Sequence, residues 1–323
     1  MENKKRAIIL GVLGMDGSHL AELLHSKNYE IHGIVKENTT QDRIEWIKTL
    51  VPDIIIYPIN ILNKTKLIGI IDDVLPNEIY NFSGVSTIDN PFSDLDEILN
   101  LNARVPQHIL EIIVAKDKKI KFFQASSCLV FGKDKSGLQN ESTPRCPNYP
   151  YSVAKNYADN LISIFRETFG IFACSGILFP HISPRQSVNF YAKKVCSAIA
   201  RIKAGNNEKL KLGDLSHMRD WSWSPDVVEA IYLMMQAETP QDYVIGSGVL
   251  TSAEYFARMA FEYAKLDYQE HIEYAKEFDR KKDMWALCSN NRKIKLELKW
   301  HPKTTIQDIA KKMVDYEIEK LKQ

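Results

Sequence analysis

The sequence predicts an α/β fold, a Rossmann-type doubly wound parallel sheet with helices on both faces, followed by a smaller C-terminal region. Three observations carry this prediction. Short apolar runs alternate with amphipathic stretches from residue 6 to residue 179, a rhythm that strand-helix-strand units produce. A glycine-spaced turn, Gly11-x-x-Gly14-x-x-Gly17, joins the first apolar run to the first amphipathic stretch. Beyond Phe179 the rhythm stops: Pro180, Pro184 and a denser mix of basic and aromatic residues take over.

Taken in order, the apolar run 6–12 reads as a strand and the amphipathic stretch 15–26 as a helix. Strands are expected at 29–35 and 53–57, a helix at 64–74, and a strand at 78–82. A long helix over 94–115 leads to a strand at 120–124, then to the helix carrying Tyr151, then to a strand at 172–179. Shorter elements continue to an amphipathic helix over 305–321. We expect a dinucleotide-binding domain over 1–178, rejoined by about 222–247, and a substrate-binding region over 179–323 that closes on the sheet edge.

Composition bounds the function. The chain has 323 residues, 45% of them hydrophobic, with 14 Gly and 13 Pro, enough to bury a large core. A net charge of +1 supplies no field for nucleic acid or an anionic membrane, and the lysines between 116 and 121 read as a solvated face. The five cysteines, Cys128, Cys146, Cys174, Cys196 and Cys288, form no C-x-x-C pair, which fits a reducing cytoplasm. The basic N-terminus meets glycines instead of a cleavage site, so neither a signal peptide nor an anchor is expected. No window approaches the roughly 20 apolar residues of a membrane span, and no metal-ligand set is expected.

Chemistry enters through spacing. Glycines at 11, 14 and 17 permit a tight turn and a close backbone approach to a pyrophosphate, which sits on the amides of the following helix. At the end of the second strand stand Lys36 and Glu37. A carboxylate there favours a free ribose 2'-hydroxyl over a 2'-phosphate, so NAD is expected before NADP. Tyr151 and Lys155 are four apart on one helical face, where an ammonium can favour an ionised phenol. An unperturbed phenol titrates near about 10, so a tyrosine base needs such help. The same spacing also arises in solvated surface pairs. Ser126 and Ser127, ending a strand between the glycine turn and the tyrosine, tip the reading toward an active site.

Together these residues resemble the extended short-chain dehydrogenase/reductase family. GVLGMDGSHLAELL, NEIYNFSGVS, FFQASSCLVFGK, PYSVAKNYA, ACSGILFPHISPR, LGDLSHMRDW and DYVIGSG are similar to successive blocks of its GDP-mannose 4,6-dehydratase branch, over nearly the whole chain. The resemblance implies Tyr151 as the base at a sugar C4 hydroxyl, Lys155 as its support and ribose ligand, and Ser127 as donor to the C4 oxygen. It implies cofactor contacts from Gly11, Gly14, Met15, Asp16, Gly17, Lys36, Asn60, Ile61, Phe82, Ser83, Gly84 and Ser126, besides Tyr151 and Lys155. Ser86, Ser127, Cys128, Arg185, Lys193, Lys194, Arg219, Arg280 and Asp283 are the implied GDP-sugar contacts; for the two lysines, surface ion pairs are an equal alternative. Trp221 and Trp223 receive no role. A homodimer or homotetramer is also implied.

One departure redirects the reading. Branch members carry a glutamate two residues past the catalytic Ser/Thr, and its carboxylate serves the loss of water across C5 and C6; this chain has Leu129 there. Leucine moves no proton, and neighbouring Cys128 replaces it only with a shifted pKa. A second departure is Pro180, where the branch has an amide. The expected activity is therefore NAD-dependent oxidation at C4 of a GDP-linked hexose or heptose without elimination, as in the GDP-heptose 4-dehydrogenases of capsule synthesis, with a 2-keto acid as hydride acceptor. A dehydratase, 4-epimerase or 4-keto reductase is the alternative within the family. A catalytically silent dinucleotide-binding partner protein is the alternative outside it.

Overall fold

The computed structural model describes residues 4–85, 92, 94–132, 137–279 and 286–322. Its centre is a seven-stranded sheet of β1 (Arg6–Leu10), β2 (Glu30–Val35), β3 (Ile55–Pro58), β4 (Glu78–Asn81), β5 (Lys121–Ala125), β6 (Ala173–Leu178) and β7 (Tyr243–Ile245), in the order 3-2-1-4-5-6-7. Every neighbouring pair is parallel. Side chains alternate across a strand, so a sheet covered on both faces needs nearly continuous apolar runs. β1 does this: Ala7 and Ile9 join the core on one face with Leu20, Leu24 and Ile231, while Ile8 and Leu10 join the other with Leu67, Ile71 and Ile109. The adjacent Phe122 and Phe123 of β5 divide in the same way.

The covering helices are α1 (Met15–Ser26), α2 (Gln41–Leu50), α3 (Lys64–Val74), α4 (Leu95–Leu99), α5 (Val105–Lys116), α6 (Pro150–Phe169) and α8 (Ser224–Gln236). Helix α2 has no counterpart among the sequence expectations. Only Ile47 of it is buried, so no apolar stripe announces it. The helix expected over 94–115 is interrupted: a π-helical turn at Asn100–Arg104 separates α4 from α5. Pro106 accounts for the break. It has no N–H to give the carbonyl of Asn102, and its ring crowds that carbonyl, so the turn widens there.

After β6 the chain leaves the sheet. Helices α7 (Tyr191–Lys203) and α9 (Ala253–Tyr263) pack with the C-terminal helix Ile306–Lys320 around a separate apolar core of Val195, Ile199, Phe256, Phe261, Ile309 and Met313. Between them α8 returns to the main sheet, where Val227 and Ile231 meet the β1 core, and β7 extends the sheet beside β6. No helix of the described residues is long and apolar enough to cross a membrane.

Candidate active site

The strand order reverses between β1 and β4, and in such sheets ligands bind outside the carboxyl ends at that point. There Gly11 turns with φ +80, and a Cβ on it would meet the backbone of Phe82 and Ser83 at 3.1 Å. A Cβ on Gly17 would lie 2.3 Å from the Gly11 carbonyl oxygen, so the loop folds tightly onto α1. Gly14 caps α1 without a side chain to occupy its first amides, which leaves them available to an anion. Asp16 in that first turn is engaged: it accepts from Ser224 Oγ at 2.7 Å and from His181 Nε2 at 2.8 Å. Burial alone would raise its pKa, but the His181 charge and these hydrogen bonds outweigh that and hold it below the usual range.

Lys36 is exposed just past β2, and the Glu37 carboxylate beside it pairs with Lys66 of α3 at 2.8 Å. Asn60 and Ile61 follow β3, with the Asn60 side chain accepting from the Leu62 amide. Met15, Asp16, Phe82, Ser83 and Gly84 open onto one cavity of about 400 Å³.

Ser126, Ser127, Cys128, Tyr151, Lys155 and Arg219 line the same cavity. Ser127 lies two residues past β5 and caps the short 3-10 turn Cys128–Phe131, its Oγ accepting from the Leu129 amide at 3.3 Å. That leaves its hydroxyl hydrogen for Tyr151, toward which it acts as a hydrogen-bond partner. Burial pushes the Tyr151 phenol up to about 12, and the Ser127 hydrogen bond pulls against it. Lys155 does not supply the acidifying charge expected of it in this geometry. Its Nζ stands 5.7 Å from the Tyr151 ring centroid and donates to the Ala125 carbonyl at 2.7 Å. Burial lowers the ammonium to about 8, against the pull of Asp159. Cys128, also buried, is pushed up to about 12 and is a thiol at neutral pH, so it is no substitute base.

Arg219 comes from the strand Met218–Asp220, and its neighbour Asp220 fixes that strand. The Asp220 carboxylate accepts from the amides of Ser247, Gly248 and Ser289 at 2.8 to 3.0 Å. Three other expected sugar-nucleotide contacts lie away from the cavity lining. Arg185 pairs with Glu22 of α1 at 2.6 Å; Lys193 is buried against Glu317 of the C-terminal helix; Lys194 donates to the Lys211 carbonyl at 3.1 Å and covers Phe278. Ser86, Arg280 and Asp283 fall outside the described residues.

The cavity also contains residues that sequence reasoning passed over. Trp221, given no role, lines it and stacks on Tyr191 with ring centroids 6.1 Å apart at 7°. His181, Gln186 and Asn102 line it too. The Oδ1 of Asn102 and the Nε2 of Gln186 are buried there without partners, an acceptor and a donor that a bound polar ligand would satisfy. With the open amides of α1, they make a donor and acceptor set that fits a dinucleotide and its sugar partner. A sequence signal existed only for Trp221, two residues from Arg219 in the same block.

A family model described as GDP-mannose 4,6 dehydratase matches residues 8–313. GDP-mannose 4,6 dehydratase 2 of Arabidopsis thaliana is 33% identical over 333 residues, spanning 99% of this chain and 88% of that protein. Among solved structures, dTDP-glucose 4,6-dehydratase from Bacillus anthracis in complex with NAD superposes with a TM-score of 0.82 at 23% identity, covering 98% of this chain and 97% of that one. RMD from Pseudomonas aeruginosa complexed with NADPH superposes with a TM-score of 0.81 at 20% identity, covering 98% of each chain.

Proposed function

The chain belongs to the GDP-mannose 4,6-dehydratase family, and from that premise we propose that it oxidises C4 of a GDP-linked sugar, of the GDP-heptose or GDP-mannose type, to the 4-keto sugar without removing water. Such a product would feed surface polysaccharide synthesis. Residues 1–178, with 222–247, would hold the cofactor, and 179–323 the nucleotide sugar, in a cytoplasmic homodimer or homotetramer.

A nicotinamide dinucleotide, when bound, supplies the hydride acceptor. The glycine turn and the α1 amides would hold its pyrophosphate, and Phe82 to Gly84, Ser126 and Lys155 would flank the remainder. We take NAD in preference to NADP because Glu37 stands beside Lys36 where a 2'-phosphate would come. Tyr151 takes the C4 hydroxyl proton, Ser127 donates to the C4 oxygen and orients it, and Lys155, bonded to the Ala125 carbonyl, would hold the nicotinamide ribose. Arg219 reaches the diphosphate end.

The observation that carries this reading is Leu129. Its half-buried side chain lines the cavity directly after Ser127 and Cys128, where elimination needs a proton-transferring group. Among the described residues lining the cavity, Asp16 is the only carboxylate, and His181 and Ser224 already occupy it. A 4,6-dehydratase is the second reading, favoured by the names of the relatives at 30–33% identity. Mass analysis of product formed from GDP-mannose and GDP-heptose in deuterated water separates the two. Loss of a pair of hydrogens with water retained supports the oxidation; loss of water with deuterium at C5 establishes the dehydratase.

A further inference from the structure

Lys155 is 4% exposed, and the hydrogen bond its ammonium makes goes to the neutral Ala125 carbonyl. A buried ammonium loses its proton unless an anion stands near it. Asp159 is that anion: one turn further along α6, 3% exposed, it faces the same side of the helix. Its carboxylate accepts from Ser126 Oγ at 2.6 Å and pairs with Arg145 from the loop before α6. Ala125 and Ser126 run directly into Ser127. The Lys155 and Asp159 side chains therefore clamp the end of β5 at two successive residues beside the reacting one.

We propose that Asp159 is a positioning residue for the Tyr151–Lys155 pair: its charge keeps the Lys155 ammonium protonated, and its bond to Ser126 fixes the strand end that presents Ser127. The proposal rests on the C4-oxidation reading for its kinetic test and stands apart from it in its binding test. The groups facing this cluster are few. Tyr151 meets Ser127 and Cys128 on the 3-10 turn. Asp159 meets Arg145, Ser126, Ser175 on β6 and Asp242 before β7. Asp242 is held by both guanidinium nitrogens of Arg166, at 3.0 and 3.1 Å, as Asp159 is by Arg145. Of the two carboxylates, Asp159 is the one on the same helix face as the pair, and its field raises both Tyr151 and Lys155.

Removing that charge moves both titrations the same way. With Asp159→Asn, which keeps the shape and an oxygen for Ser126, both limbs of the kcat–pH profile should shift to lower pH together, by roughly half a unit or more. The affinity for reduced cofactor, followed by its fluorescence across the same pH range, should lose its Lys155-dependent part at correspondingly lower pH. Arg145→Gln, which removes a cation on the far side of Asp159, should shift both curves upward and serves if Asp159→Asn does not fold. A merely structural role would lower kcat with both limbs fixed. Unmoved limbs and an unmoved binding curve in the folded variants overturn the proposal. Wild-type protein that binds cofactor with this pH dependence but turns over no GDP-sugar even with a 2-keto acid supplied refutes the C4-oxidation reading and leaves Asp159 supported by the binding shifts.

Discussion

The His181 imidazole joins the Asp16 carboxylate at 2.8 Å while its other nitrogen meets the Phe179 carbonyl at 2.7 Å. Carboxylate and carbonyl can only accept, so both ring nitrogens donate and His181 is an imidazolium. The pair ties the glycine-turn helix to the chain just after β6, and both residues line the cavity.

This bond sets a pH dependence. Burial alone would lower the pKa of His181, but Asp16 and the Phe179 carbonyl raise it above its ordinary value. A raised histidine contributes stability that is complete below about 6.5 and is lost as pH rises through the folded value. Asp16, held low, contributes above about 3.9 and loses its share only as pH falls through its lowered value. Wild type should therefore exceed His181→Gln in Tm by about 2 °C or more at pH 6, with the gap narrowing by pH 9. A gap that stays constant over that range would contradict the imidazolium.

Lys193 and Glu317 are 3% and 5% exposed and pair with each other, with Ser197 Oγ donating to the second carboxylate oxygen at 2.7 Å. Glu317→Ala strands a buried ammonium and should cost about 3–5 kcal/mol in denaturant unfolding. GDP-sugar affinity by titration calorimetry should stay unchanged. The reverse pattern, weak destabilisation with lost affinity, would return Lys193 to the ligand.

The particulars of these residues explain what the sequence made legible. The sheet was readable because strands buried on both faces, such as β1, must be apolar throughout, and the glycine turn because close backbone approach tolerates no side chain at Gly17. Local spacing exposed Tyr151 and Lys155. Spacing could not expose Lys193, whose partner lies on the last helix, or Arg185, which α1 captures through Glu22. Asp159 stood in view, four residues after Lys155, yet its meaning depends on Ser126 and Arg145 arriving from other segments. Helix α2 stayed hidden because it buries a single residue.

Tyr151→Phe removes the proton acceptor and leaves the ring's packing. Turnover should fall by about a hundred-fold or more, while GDP-sugar binding stays close to that of wild type. Activity within a few-fold of wild type would refute Tyr151 as the base.

Glu37→Arg replaces an anion with a cation and also frees Lys66, its partner at 2.8 Å. Both changes favour a 2'-phosphate, so NADP should gain on NAD in relative affinity. An unchanged preference would mean that the ribose 2' position lies elsewhere.

The last prediction concerns the fate of the hydride. In a dehydratase the hydride taken from C4 goes back to C6 of the same sugar, so each cycle ends with oxidised cofactor. That return requires water to leave first, and Leu129 offers no proton transfer for it. On the proposed reading C6 remains saturated and accepts nothing. The hydride must leave on released cofactor, return to C4, or pass to a second substrate. A pocket that closes the glycine turn so tightly against Phe82 and Ser83 should release the cofactor slowly. The purified protein should accordingly carry mostly reduced cofactor and make little product alone. An added small keto compound, a 2-keto acid first, should restore turnover by taking the hydride at its carbonyl carbon and a proton at oxygen, leaving a 2-hydroxy acid. Absorbance in the reduced-nicotinamide band, followed as acceptors are added, tests this. Protein isolated fully oxidised, with steady turnover and no acceptor, would instead indicate that the hydride returns to the opposite face of C4, the reaction of an epimerase.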